Sequence, residues 1–444
     1  MAVQTAIMDA VTALNYRVTI GDVATRSGLE LDTVRRELAT LAAEAGGHLQ
    51  VAESGEIVYQ FPANFQAIWR NRSWRSQMQA KLQKLWQIIF YLIRISFGIA
   101  LIVSIIIIFA AIIVLLFAQQ SQEGEERDRR SGGEGDLFFL WQLQRYSYLL
   151  SHWSLFFDPL DYDRQPAKRR AEKSQVATGK LSFLEAVYSF LFGDGNPNAD
   201  LEDRRWQMIA TTISNHQGVV IAEQLAPYLD DLGSRSDQEY EAYMLPVLAR
   251  FDGRPHVSPE GGLVYHFPAL QVKAKSSQSR RVPDYLREHR WPFTQATAAQ
   301  STGVIILAAL NLGGALILGG LLQANPAELV GFIGLVRSLY WLLLGYGVGV
   351  VVVPLVRYFW LLLRNQQVEA RNQMRSQRTA PLQAMPPELE QKYQYAQQFA
   401  TEVVIRDRDI VYSTDRDLLE QEVERLEQQE AERLEQQAEP NAEP

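Results

Sequence analysis

The chain has 444 residues, 47% of them hydrophobic, and a formal net charge of −8. That length holds two or three domains. Having no cysteine, the chain excludes disulfides, thiolate catalysis and cysteine-ligated clusters of its own. Charge is segregated: residues 1–62 carry a net −4, 200–268 a net −6 and 388–444 a net −10, while the remainder carries +12.

Met1–Thr5 lacks a basic region followed by a short apolar core, so no cleaved signal peptide is expected. Ala6, Ile7, Ala10, Val11 and Leu14 follow helical spacing. Arg17–Ile20 is β-type, and Ile20–Ser27 reads as a helix ended by Gly28. A third helix has Asp32 as its N-cap and Val34, Leu38, Leu41 and Ala42 on one face. His48–Ala52 and Glu56–Phe61 read as strands joined around Ser54-Gly55. Helix, strand, helix, helix and a two-stranded wing is an order that resembles the winged-helix domain, here over residues 1–65.

Residues 66–85 form a basic and aromatic linker. Arg70, Arg72, Trp74, Arg75, Lys81 and Lys84 make an interfacial anchor ahead of a transmembrane segment at 86–118. A bilayer core needs about 20 apolar residues in a helix, and this run meets that length. Arg94, eight residues inside, reads as snorkelling to the interface rather than as an intramembrane functional charge. Residues 119–199 are a linker. Within it Leu137–Phe157, rich in aromatics but carrying Arg145 and His152, reads as an interfacial helix. Lys168-Arg169-Arg170 suits a lipid surface or a solvated linker, and Leu181–Phe192 is a short amphipathic helix.

Gly55-Glu56-Ile57-Val58-Tyr59-Gln60-Phe61-Pro62 then returns as Gly261-Gly262-Leu263-Val264-Tyr265-His266-Phe267-Pro268. It closes a second segment, 200–270, with the same element order: Trp206–Ser214, Gly218–Ile221, Ala222–Leu229, Tyr240–Phe251 and the wing Pro255–Pro268. Aligning Val18 with Val219 leaves about five extra residues near Asp231–Asp237. The expectation is a duplicated winged-helix-like module. Such a fold suggests DNA, whose binding rests on Lys and Arg. The first third helix offers Arg35 and Arg36 among Glu30, Asp32, Glu37 and Glu44. The second offers Arg250 against Asp237, Glu239 and Glu241. Both modules are acidic and would repel a duplex. Protein docking through the wing or third helix is therefore expected, with nucleic-acid binding as the alternative.

Residues 271–300 are a basic linker containing Lys273, Lys275, Arg280, Arg281, Arg287 and Arg290. Residues 301–363 read as a transmembrane hairpin, Thr302–Leu322 and Ser338–Leu363, joined through Gln323–Glu328. Arg357, Arg364, Arg371, Arg375 and Arg378 follow, whereas the connection offers only Arg337. The positive-inside rule puts both flanks, and hence both termini, in the cytoplasm or its plastid equivalent. Three crossings would separate the termini, so either the first run does not cross once or Leu137–Phe157 enters the membrane. Ala309, Gly313, Gly320, Gly345 and Gly349 are small residues expected to let these spans approach. In the C-terminal region, 364–444, Val403–Tyr412 reads as a hairpin, followed by a solvated acidic helical tail.

Six histidines form no i,i+4 pair, and His256 and His266 alone share one wing. No phosphate-loop, dinucleotide-loop or nucleophile-elbow pattern occurs. The expectation is a non-enzymatic chain with no catalytic residue, cofactor or metal.

Leu181–Pro197, with Glu202-Asp203-Arg204-Arg205-Trp206 and Ala222-Glu223-Gln224-Leu225-Ala226-Pro227-Tyr228-Leu229, resembles a family of cyanobacterial membrane proteins with chloroplast-envelope relatives in plants. The resemblance implies a thylakoid or plasma membrane. Plant relatives carry the label iron–sulfur cluster biosynthesis family, which would imply an accessory role in iron–sulfur maturation; no cysteine here could ligate or receive a cluster. The whole reads as an α+β membrane protein with two winged-helix-like modules and helical transmembrane segments. It would contact membrane lipid and unidentified protein partners, in assembly or maintenance of a membrane complex.

Overall fold

Local signals set the first elements. Thr19 opens the helix Ile20–Ser27 with a capping box: its Oγ1 accepts from the Asp22 N–H at 3.0 Å, and the Asp22 carboxylate accepts from the Thr19 N–H at 3.1 Å. Gly28, at φ 70°, ends that helix in the left-handed conformation that glycine adopts without penalty. The computed structural model describes residues 2–72, 74–123, 181–276, 279–324, 331–415 and 417, with isolated positions 423, 426 and 430. Leu137–Phe157, Lys168–Lys173 and most of the Gln323–Glu328 connection and acidic tail lie outside the described residues.

The chain is mixed helix and sheet and divides into two compact units. The first comprises Met1–Ala80, Asn198–His289 and Gln367–Pro444. Its strands are β1 (Arg17–Thr19), β2 (His48–Ala52), β3 (Ile57–Gln60), β4 (Val219–Val220), β5 (Arg254–Val257), β6 (Leu263–His266), β7 (Val272–Lys273), β8 (Val403–Val404) and β9 (Ile410–Ser413). One antiparallel sheet runs β1-β3-β2-β9 and another β4-β6-β5. The two hairpins share their register: His48 faces Gln60 as Arg254 faces His266. Gln60 pairs with Arg17 and His266 with Val219, so Val18 corresponds to Val220, one residue on from the alignment read in the sequence. Thr19 and Ile221 are accordingly the N-caps of the two matching helices.

A single apolar core joins these parts. Ile7, Val11, Leu38, Phe61 and Phe65 belong to one buried cluster with Ile209, Ile213, Leu225, Phe251 and Phe267. Burying each such side chain stabilises by about 1.5–3 kcal/mol. The helix Ile20–Ser27 packs on Leu201–Asn215, and glycine permits the approach. A Cβ on Gly28, the residue that ends the first of these helices, would lie 2.6 Å from the Gln207 main-chain nitrogen.

Two expectations change. Tyr240–Phe251 is not one helix. Glu241 sits at φ 51°, a 3₁₀ turn covers Ala242–Met244, and Pro246 starts a new helix, Leu245–Phe251. Proline has no N–H to continue the preceding turn. Nor is Val403–Tyr412 a hairpin. β8 pairs in parallel with β7, and β9 adds to the β2 edge, with the 3₁₀ turn Asp407–Asp409 redirecting the chain.

The second unit comprises Lys81–Pro197 and Arg290–Gln366. Three helices are long and apolar enough to cross a membrane: Lys84–Phe117, Ala298–Ala324 and Phe332–Ala384, the last continuing beyond this unit. Phe183–Phe192, capped by Ser182 with Glu185 in a capping box, packs on them through Val187 and Leu191 with Leu101, Ile105 and Val304. A second cluster joins Ile108 and Leu115 to Leu318 and Val336.

Candidate functional site

Arg70 and Arg72 fall on the helix Phe65–Arg72, and Trp74, Arg75, Lys81 and Lys84 on Trp74–Glu123. Arg281, Arg287 and Arg290 are exposed, and Arg280 is half-buried. Other basic residues read as flanking charges are instead tied into the first unit. Lys273, 6% exposed, pairs with Glu402 at 2.8 Å. Arg371 grips Glu288 through two bonds of 2.7 and 2.6 Å. Arg375, 2% exposed, meets Glu288 at 2.9 Å, donates to the Leu286 carbonyl and pairs with Asp230. Arg378 donates to the Leu229 and Ala226 carbonyls, satisfying the end of the turn that follows Ala222–Leu225. Burial pushes the Glu288 and Asp230 carboxyls up, but the guanidinium groups outweigh it and hold both below the usual carboxylate range.

Asparagine side chains fix the neighbouring irregular backbone. Asn215 bonds both the N–H and the carbonyl of Arg280, Asn372 those of Glu288 and Asn198 those of His289. Each clamp supplies the donor and acceptor that a sheet would otherwise provide. Another buried cluster centres on Lys392, whose ammonium lies 3.0 Å from Glu223 and 2.6 Å from Glu241. Glu241 also accepts from the Tyr265 hydroxyl at 2.8 Å, and burial with that carboxylate raises the Tyr265 pKa. His256 and His266 do meet, with ring centroids 5.7 Å apart, but His256 stacks on Phe399. Among the described residues no group of three or more His, Cys, Asp or Glu could hold a metal ion.

In the second unit the close helix approaches lie beside the small residues singled out from the sequence. A Cβ on Gly313, Gly320, Gly345 or Gly349 would meet nothing within 4 Å, and Ala309 is exposed. The contacts run through Gly314 against Ile108, Gly319 against Tyr340 and Gly347 against Asn311. One residue is about 100° of helix rotation, enough to move a glycine off the contact face. Asn311, fully buried, donates to Ser104 at 2.7 Å, and its carbonyl oxygen has no hydrogen-bond partner. Arg94 pairs with Asp194 at 2.6 Å and lies over the Tyr188 ring. The partner sits a hundred residues on, outside any local pattern.

The first unit also contains a polar cavity of about 260 Å³. Arg17, Lys275 and Arg280 line it with a single carboxylate, Asp22, and hydroxyls from Thr25 and Ser214. Its walls come from the start of β1, the helix Ile20–Ser27, the end of Leu201–Asn215 and the chain after β7. In the sequence Lys275 and Arg280 read as membrane-flanking charges, and Arg17 and Asp22 carry no signal of a shared site, because the lining residues are dispersed along the chain.

The fold and its side chains define a mixed helix–sheet protein carrying apolar helices of membrane-crossing length. The chain belongs to the same family as a protein of Arabidopsis thaliana described as "Uncharacterized protein At5g03900, chloroplastic", with which it shares 37% identity over 419 residues, covering 92% of this chain and 78% of the plant protein. No protein-family model and no solved structure matches the chain.

Proposed function

We propose that this is a non-enzymatic, membrane-anchored docking protein whose two winged-helix-like modules, duplicated from one ancestor, present an acidic surface to a protein partner in assembly or maintenance of a membrane complex. The observation that carries this reading is the fate of the cations. Arg35 pairs with Asp32, Arg205 with Asp230, and Arg250 lies over Trp206 while donating to the Gly28 carbonyl. Lys273, Arg375 and Lys392 are buried. Exposed carboxylates at Glu53, Glu56, Asp231, Asp252 and Glu260 leave the modules net acidic, −4 over 1–62 and −6 over 200–268, with Arg36 and Arg254 also exposed. A surface of that sign repels phosphate backbones and favours basic protein partners.

The matching hairpin registers support the duplication, and the three apolar helices support anchorage. The shared core supports a common compartment for both modules, and the pairing of β9 with β2 supports the same for the described C-terminal segment. The plant relative's description as chloroplastic supports a place in the photosynthetic lineage, with a cyanobacterial thylakoid or plasma membrane as the specific expectation. Strand addition at the first wing is not the docking mode proposed. β9 already covers the β2 edge, and the matching β5 edge carries Pro255 where Leu49 donates its N–H to Thr414.

Cross-linking of the full chain in solubilised membranes should recover a reproducible protein partner. The charge-reversed variant Glu53→Lys/Glu56→Lys/Glu260→Lys should lose it. No partner with the parent chain, or salt-sensitive retardation of duplex DNA by it, would overturn the reading.

A further inference from the structure

We infer that the polar cavity of the first unit is a binding site for a small phosphate-bearing anion. This goes beyond the docking reading and stands independently of it. Two arginines and a lysine are among its lining residues beside one aspartate, in a chain whose net charge is −8. The cavity is thus a basic island in an acidic protein.

Arg280 is not consumed as Lys273, Arg375 and Lys392 are. The Arg280 guanidinium makes no ion pair or hydrogen bond among the described residues, and the charges it feels are Arg26 and Asp22. Burial, and then the like charge of Arg26, lower its pKa, and the Asp22 carboxylate offsets them only in part. Arg17 spends Nη1 on the Ala274 and Ile405 carbonyls. Its Nε and Nη2 are buried, with the Asp407 carboxylate 3.2 Å from Nη2, so Arg17 adds positive charge behind the wall rather than a direct contact to a ligand. Asp22 opposes an anion weakly. One of its oxygens accepts from the Thr19 and Ala274 N–H groups, and burial raises its pKa.

The walls are preorganised. Both polar ends of Asn215 hold the Arg280 main chain, and Asp22 holds that of Ala274, so the cationic stems are anchored before any ligand arrives. At about 30 Å³ of liquid volume per water, the space accommodates a phosphate group with a short organic substituent. The Arg280 guanidinium, the Lys275 ammonium and the hydroxyls match an anion with three or four acceptor oxygens better than a carboxylate with two. A free phosphate, a small phosphomonoester and a phosphomonoester lipid headgroup share that chemistry.

The test uses the full chain in detergent, freed of phosphate, with ionic strength held by chloride. Isothermal titration with inorganic phosphate and glycerol 3-phosphate, and flotation with vesicles containing phosphatidic acid or only phosphatidylcholine, separate the sources. Saturable binding in the soluble or the phosphatidic acid arm is expected. Arg280→Gln should weaken it by at least about tenfold, the loss of one charge-assisted contact. Ser214→Leu, which puts a bulky side chain in place of a lining hydroxyl, should do the same and keeps the test valid if Arg280→Gln misfolds. No saturable binding in any phosphate arm, binding unchanged by both variants, or equal binding of acetate would overturn the inference.

Discussion

Neutralising Glu288 tests whether the ion network holds the first unit together. Its carboxylate is 6% exposed, takes two bonds from Arg371 and lies 2.9 Å from Arg375, itself 2% exposed. Glu288→Gln keeps the volume but removes the charge, leaving Arg375 with Asp230, which is 48% exposed and partly solvated. Breaking a buried pair costs about 3–5 kcal/mol. Because Asp230 compensates in part, the expected loss is at the lower end, about 3 kcal/mol. Arg371→Gln removes a group that is 39% exposed and should cost about 1 kcal/mol or less. Hydrogen exchange of the full chain in detergent reads the change at backbone amides 226–230 and 286–289, with the thermal midpoint as a global check. A Glu288→Gln variant within about 0.5 kcal/mol of the parent, the ordinary surface range, would refute the network's role.

The same carboxylates set an acid limit. Glu288 and Asp230 have folded pKa values below their unfolded ones, so their contribution is present above about pH 4 and lost as pH falls further; the acid loss in thermal scans should be shallower in Glu288→Gln. Lys392→Met strands Glu223 and Glu241 together at a largely buried point and should cost about 3 kcal/mol, seen as faster proteolysis of the helix Pro387–Gln397. Gly347→Ala places a Cβ 2.7 Å from the Asn311 oxygen and should lower stability by about 1–3 kcal/mol. Asn311→Ala in the same chain should make that substitution nearly neutral, and a detergent thermal-shift cycle measures the coupling. Cysteines at the exposed positions Ser54, Glu260 and Arg408 should label from one face of the membrane and one at Gln323 from the other; labelling of position 260 with 323 would refute a common compartment.

Much of the architecture was legible without coordinates. Length and unbroken apolarity mark the three membrane-length helices, because burial in lipid asks only for composition over about 20 residues. The hairpins were readable because turn residues and alternation act within a few positions, as Gly55 at φ 81° and Gly261 at φ 89° show. Tertiary structure decided the rest. β9 reaches the β2 edge through contacts such as Leu49 with Thr414, which no local pattern encodes. Arg371, Arg375 and Lys273 look in sequence like membrane-flanking charges, and only their carboxylate partners, brought from distant segments, make them structural. Which of two adjacent glycines faces a neighbouring helix depends on helix rotation, not on spacing. The cavity arises where four dispersed segments meet. Its chemistry is written in residues, Arg17, Asp22, Lys275 and Arg280, that acquire a common meaning only when the chain closes over its shared core.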